Sequence, residues 1–240
     1  MKLDILRANE RGHLNFGWLD TYHSFSFGEY YNRKRMNFGA LRVINDDTIA
    51  PQSMFPTHSH QDMEIITIVL AGSIEHQDSI GNKTIISTGE IQTMCAGSGI
   101  QHSEANPSYD EELRLFQIWI YPRQKKLSPS YAQRNFSQQL MTRNQWHNLI
   151  SPHADDKNIL QINQDAYLAL GEFDIINQNF SYTLNNPEHG VLIMVISGEL
   201  ILAEQTLHER DAIMLTECSE INFTLTQTTR LLAIEVPLIF

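Results

Sequence analysis

The sequence predicts an all-β fold of two similar barrels, and three observations carry that prediction. Short runs rich in Ile, Val, Thr and aromatics recur along the chain, bounded by Gly, Pro, Asn and Asp. Helical patterning is confined to residues 129–140 and 143–149, both polar with one or two aromatics. The first half is echoed in the second. Val69-Leu70-Ala71-Gly72 is followed 17 residues after its glycine by Gly89-Glu90-Ile91, and Val195-Ile196-Ser197-Gly198 is followed 12 residues after its glycine by Arg210-Asp211-Ala212. Each half then reads as strand, glycine turn, strand, acidic turn, strand, and such repeats decide the fold.

In chain order the expected strands of the first half are FGALRVIND, MEIITIVLAG, KTIISTG, EIQTMCAG and LRLFQIWIYP. Those of the second half are GVLIMVISGELILAE, DAIMLTE, EINFTLTQ and RLLAIEVPL. Short strands with frequent turn signals suit a sandwich or a barrel. The polar 125–155 region, with its SPHADDKN turn cluster, joins the halves, and we place the division at 140, giving units 1–140 and 141–240.

Composition narrows the function classes. Of the 240 residues 42% are apolar and 19% charged, which is a globular rather than a disordered balance. The formal net charge of −11 argues against direct nucleic-acid binding, which needs clustered cations to displace counterions. The single basic run, Arg33-Lys34-Arg35, reads as a solvated turn. No apolar run approaches the roughly 20 residues that span a bilayer, and MKLDILRANERGHL has no apolar stretch of signal-peptide length. A cytoplasmic protein with no membrane partner is expected, and we take a monomer as the working state. Cys95 and Cys218 form no CxxC and are expected to be buried thiols.

The chemistry concentrates in two stretches, FPTHSHQDMEIITIVLAG and GSGIQHSEANP. In a strand, residues i and i+2 share a face, with Cα atoms roughly 6.5–7 Å apart. His58 and His60 therefore point one way from one strand, and His102 and Glu104 do the same from another. If the two strands are close, three imidazoles and a carboxylate converge on one cavity. That donor set suits a divalent transition metal and leaves coordination positions open. The small, glycine-rich segment before His102 lets backbone pass close to a buried site. Glu64, four residues after His60, is expected on the same strand face, either as the carboxylate ligand in place of Glu104 or as a neighbour of the ligands. His23 and His76 read by default as hydrogen-bonded structural histidines.

These residues resemble the two cupin motifs. THSHQDMEIITIVLAG is similar to the first, and GSGIQHSEAN, with Gly99, His102 and Asn106, to the second. More narrowly, WLDTYHSFSFGEYYN, MNFGALRVINDD, THSHQDMEIITIVLAGSIEHQDSIGN, AGSGIQHSEANPS and FQIWIYP resemble the pirin family of two-cupin proteins, together covering most of residues 17–122. The resemblance implies a bicupin: two double-stranded β-helix (jelly-roll) barrels with a few short helices in the linker. It implies one metal, in the first barrel, held by His58, His60, His102 and Glu104, with Glu64 as an inner neighbour. The implied metal is Fe(II), with Mn, Ni, Cu, Co or Zn as alternatives. In the second half no H-x-H occurs, His189 and His208 stand alone, and Arg210 occupies a position where glycine is usual. A degenerate, metal-free second barrel is expected.

Within this family the bacterial branch implies a quercetin 2,3-dioxygenase, which takes a flavonol and O2, opens the heterocyclic ring and releases CO. Glu104 is the expected proton acceptor for the flavonol hydroxyl. Phe55, Met63, Phe116 and Trp119 are candidates for the cavity mouth. The alternative that the family implies is a metal- or redox-sensing regulator that binds a protein partner.

Overall fold

The computed structural model describes residues 1–153 and 158–240. The expected strands are all present, and they close into two barrels of the same plan. In the first, a seven-stranded sheet runs in the order Ser130–Asn135, Glu90–Cys95, Glu64–Ala71, Leu113–Ile120, Leu41–Ile49, Leu19–His23, Gly12–Asn15. Its four-stranded partner is Met54–His60, Ile100–Ala105, Ser73–Asp78, Lys83–Ser87. In the second, the seven strands are Lys2–Leu6, Ala212–Thr216, His189–Ser197, Thr229–Pro237, Tyr167–Phe173, Trp146–Ser151 and Leu160–Gln161. Asn179–Thr183, Glu220–Leu225, Glu199–Leu202 and Gln205–His208 complete it. This is the bicupin architecture.

Strand alternation decides where each side chain goes. In Glu64–Ala71, Ile65 and Val69 enter clusters inside the first barrel, while Ile66 and Ile68 join a core shared with Leu192, Met194, Leu232 and Ile234 of the second. The two seven-stranded sheets thus pack face to face across that shared core, so their central strands are apolar on both faces.

The edge strands come from a distance. Ser130–Asn135 closes the first sheet by pairing with Glu90–Cys95, and Lys2–Leu6 closes the second by pairing with Ala212–Thr216. We retain a division near 140 as a proposal, with Lys2–Leu6 counted in the second unit. Arg35, expected to be part of a solvated turn, instead grips Asp4 and the Ile5 carbonyl and so ties that first strand down.

The helical reading of 129–140 and 143–149 is largely overturned. Only Ser137–Leu140 is helical, and the rest supplies the strands Ser130–Asn135 and Trp146–Ser151. Their weak local preference gives way to a free sheet edge that needs covering. SPHADDKN lies partly outside the described residues. Among the described residues no helix is long and apolar enough to cross a membrane.

The echo between the halves is physical. Gly72 and Gly198 turn at φ 77° and 93°, and a Cβ would come within 2.9 Å of the Glu112 carbonyl oxygen and 2.4 Å of that of Thr228. At the later turn Glu90 accepts from the Ser87 N–H and Asp211 from the His208 N–H. Gly89 has φ 87° there, whereas Arg210 holds φ 67°, a conformation that costs a non-glycine residue. Its side chain accounts for the exception: it donates to Asp46 Oδ2 of the first barrel at 2.8 Å and lies over Phe116, 5.3 Å from the ring centroid.

Candidate metal centre

Met54–His60 and Ile100–Ala105 pair antiparallel, with His102 opposite His58 and Ile100 opposite His60. A register shift between His102 and Glu104 brings Glu104 opposite Phe55. The imidazoles gather accordingly, with ring centroids 4.4 Å apart for His58 and His102, 4.7 Å for His58 and His60, and 4.8 Å for His60 and His102. Ligand atoms of these three lie within 4.8 Å of one another, as do those of His76, His102 and Glu104. His102 is the member common to both triads.

Hydrogen bonds select the nitrogens that remain free. His58 Nδ1 is 2.8 Å from the Pro56 carbonyl oxygen, which leaves Nε2 to face the other rings. Asp78 Oδ2 lies 3.1 Å from His76 Nε2, and His76 Nδ1 lies 3.5 Å from His102 Nδ1. With His76 donating to Asp78, His76 Nδ1 accepts the proton of His102 Nδ1. The lone pair of His102 is then on Nε2, which is buried and has no hydrogen-bond partner.

Glu104 is buried and accepts from Gln92 Nε2 at 3.3 Å and from Gln117 Nε2 at 3.1 Å. Burial, and next the nearby Asp47, push its carboxyl up to about 7, against the two glutamine donors. Burial likewise lowers His60 to about 4, helped by His58, and His102 to about 2, helped by His58, His60 and His76. The result is neutral imidazoles with lone pairs, an orphaned ring nitrogen and a carboxyl without a countercharge. A divalent cation is the species that would satisfy all of these together, so the residues fit the expected metal.

The cluster borders a cavity of about 460 Å³. Phe16, Phe27, Phe55 and Trp119 give it aromatic walls, and Thr21, His23, Asn45 and Asp47 give it a polar side. Asp47, buried, accepts from Thr21 Oγ1 and is pushed up to about 7 chiefly by desolvation. His23 is lowered to about 4 by burial, against a hydrogen bond to the Phe27 backbone. A second hollow of about 450 Å³ opens on the outer side beside Ser59, Gln61 and Gln101, and of the four candidate ligands it meets only His60.

Several expected placements change. Glu64 lies outside the cavity lining: it accepts from the Asn163 N–H at 3.1 Å and interacts with Cys95. The strand ends at His60, and Asp62 turns with φ 49°, so the shared-face rule does not carry from His60 to Glu64. Met63 packs with Ile65 and Met94, and Phe116 lies in the core between barrels; Phe55 and Trp119 do line the cavity. His76 braces the candidate ligand His102, and His23 borders the cavity. Cys95 is buried, but Cys218 is only partly so. Gln92, Gln117, Asn45, Asp47 and Thr21 went unnoticed in the sequence, although Thr21/His23 and Asn45/Asp47 carry the same i, i+2 polar signature as the ligands.

Comparison with known proteins agrees with this geometry. Residues 6–120 match the family model described as Pirin, and residues 148–236 the one described as Quercetinase C-terminal cupin domain. The quercetin 2,3-dioxygenase of Escherichia coli K12 is 45% identical over 202 residues, 82% of this chain and 83% of that protein. A pirin-like protein of Caulobacter vibrioides is 38% identical over 233 residues, 97% of this chain and 99% of that protein. The crystal structure of bacterial pirin YhhW in complex with nickel(II) from Escherichia coli aligns with a TM-score of 0.91 at 39% identity, covering 98% of this chain and 99% of that one. On this sequence and structural evidence, the chain belongs to the pirin family of two-domain cupins.

Proposed function

We propose that the protein is a metal-dependent dioxygenase that opens the heterocyclic ring of flavonols such as quercetin with O2 and releases CO. The observation that carries this reading is the pair of donor triads, His58/His60/His102 and His76/His102/Glu104, joined at His102 beside an aromatic-walled cavity of about 460 Å³, a size suited to a small organic ligand. The name of the Escherichia coli relative supports the substrate class, and the nickel in the YhhW structure supports a divalent ion. Fe(II) is the metal we propose as native.

The three histidines and Glu104 would hold a divalent transition metal, which would supply positive charge to stabilise the ionised flavonol hydroxyl and a redox-capable centre for O2. The chain's own groups do the rest. Glu104 accepts the hydroxyl proton, and the Gln92 and Gln117 amides hold its carboxyl in place. Asp78 and His76 fix the tautomer of His102. Trp119, Phe27 and Phe55 cover the faces of a planar ring system and exclude water. We place the protein in the cytoplasm as a monomer; two free thiols suit a reducing compartment.

The test is a quercetin assay in air with purified protein reloaded with Fe(II), Mn(II), Ni(II) or Cu(II). Loss of the flavonol absorbance band with CO release is expected, and its disappearance in His58→Ala and Glu104→Ala. Absence of turnover with every metal would overturn the reading and favour the sensing role.

A further inference from the structure

We propose that His23, Asn45 and Asp47 form a hydroxyl-binding subsite on the polar wall of the same cavity, beside Glu104 and Gln117, selecting flavonols that carry hydroxyl groups on the phenyl ring attached to the ring that is opened. This inference rests on the oxygenase reading and names the substrate feature that reading leaves open.

The subsite is the end of a longer arrangement. His23, Asn45, Gln117, Thr67 and Gln92 are successive neighbours in register across five strands of the first barrel's large sheet. From Gln117 to Gln92 the amide N–H groups are used: Gln117 and Gln92 donate to Glu104, and Gln92 also to Thr67, which leaves Gln92 Oε1 without a partner. At the His23 end the unpartnered acceptors lie side by side. His23 is 3% exposed and Asn45 4%, both border the cavity, and His23 Nδ1 and Asn45 Oδ1 have no partner. Asp47, two residues along the strand and also 4% exposed, accepts from Thr21 through Oδ1, and its carboxylate borders the same cavity.

The three groups have one chemistry in common. An imidazole lone pair, an amide oxygen and a carboxylate oxygen all accept, so the missing complement is a set of O–H or N–H donors. Buried acceptors left unpaired are costly, so a ligand that supplies donors gains and one that lacks them is rejected.

The walls argue for an aromatic carrier of those donors. Trp119 stands edge-on to His60 at 4.9 Å, Phe27 to Trp119 at 5.2 Å, and His23 to Phe27 at 5.3 Å between ring centroids. This continuous aromatic chain runs from a metal ligand to the subsite. A planar ligand anchored by its enol at the metal would lie along it and present its phenyl ring to the acceptors. Phenolic hydroxyls there meet both requirements, since they bring O–H donors on an aromatic body.

The test uses Zn(II)-loaded protein, in which binding is read without turnover. The affinities of quercetin, kaempferol and galangin, with two, one and no hydroxyls on the phenyl ring and the same hydroxyls on the fused ring, are measured by tryptophan fluorescence quenching. Quercetin is expected to bind at least about tenfold more tightly than galangin, with kaempferol between. In Asn45→Leu that difference collapses while galangin affinity is kept. If Asn45→Leu fails to fold, Asn45→Ala reads the same contrast. Equal affinities for all three flavonols, or discrimination unchanged in the variant, would overturn the subsite and leave the oxygenase reading standing. Binding of none of the three would remove both.

Discussion

The two barrels share a strand plan and differ in what fills them. Where the first pairs His102 with His58 and Ile100 with His60, the second pairs Phe223 with Phe180 and Ile221 with Tyr182. Where the first sets Glu104 opposite His76 and His102 opposite Asp78, the second sets Leu225 opposite Leu200 and Phe223 opposite Leu202. The row Asn45, Gln117, Thr67, Gln92 has as its counterpart Ala169, Ala233, Ile193, Ile213. At these positions the polar groups are thus replaced by apolar side chains, except that Tyr182 stands in the place of His60 and donates its hydroxyl to Glu235. Phe173, Phe180 and Phe223 pack there with ring centroids 4.8–5.9 Å apart. The outward faces are alike: Ile66 and Ile68 on one side, Leu192 and Met194 on the other, share one core. The fold therefore draws its common support from the interface between sheets, and a barrel interior can be given over to chemistry once the other barrel supplies an ordinary core.

Exchanging residues between the barrels puts this to the test. The largest effect is expected for His102→Phe, which gives the first barrel the residue of the second. Metal content after dialysis falls to background and quercetin turnover drops by more than about 100-fold, since even outer partners of a metal ligand are worth 10–100-fold. In the opposite barrel Phe223→Ala costs about 3–5 kcal/mol in urea denaturation, the usual range for a buried aromatic, while metal affinity of the folded protein is kept. His76→Leu, which copies Leu200 of the second barrel, leaves the ligands in place but frees the His102 tautomer. Metal affinity by competition with a chelator is expected to fall about 10–100-fold. Arg210→Ala removes the tie to Asp46 and keeps the unfavourable backbone, so stability falls by about 1–2 kcal/mol with no change in metal binding.

A smaller effect is the pH dependence of the metal-free protein, where the polar interior pulls in two directions. His60 and His102 lie below the ordinary 6.5, at about 4 and about 2, so the unfolded chain takes up their protons first. That contribution to stability is present above 6.5 and is lost as pH falls toward the native values. Glu104 and Asp47, raised to about 7, do the reverse: their contribution is present below the ordinary carboxylate range and is lost as pH rises through 7. Bound metal needs unprotonated imidazoles and offsets the carboxylate cost. The Tm difference between metal-loaded and metal-free protein is therefore expected to grow from about pH 5 to about pH 8. A constant difference would contradict it.

The parts of the site legible in the sequence were those governed by short-range rules. His58/His60 and His102/Glu104 each lie within one strand, where alternation fixes the face, and their neighbouring runs are strongly β-forming. Glu64 was misplaced because a turn at Asp62 separates it from His60 and resets the alternation. Asn45, Gln117, Thr67 and Gln92 form a row only once four strands align, which no local pattern encodes. The edge roles of Lys2–Leu6 and Ser130–Asn135 depend on pairings with distant strands, so the latter's weak local signal read as helix. Arg210 stood out in the sequence as a departure from glycine, but its partner Asp46 is 164 residues away in the other barrel.

The most direct measurement is an anomalous-diffraction map from a crystal of the protein reconstituted with Ni(II). A single peak in the first barrel is expected, within coordination distance of His58 Nε2, His60, His102 Nε2 and Glu104, and none in the second. A peak coordinated by His76 and Asp78 instead, an ion held only on the outer surface, or a second ion inside the aromatic barrel would contradict the central claim.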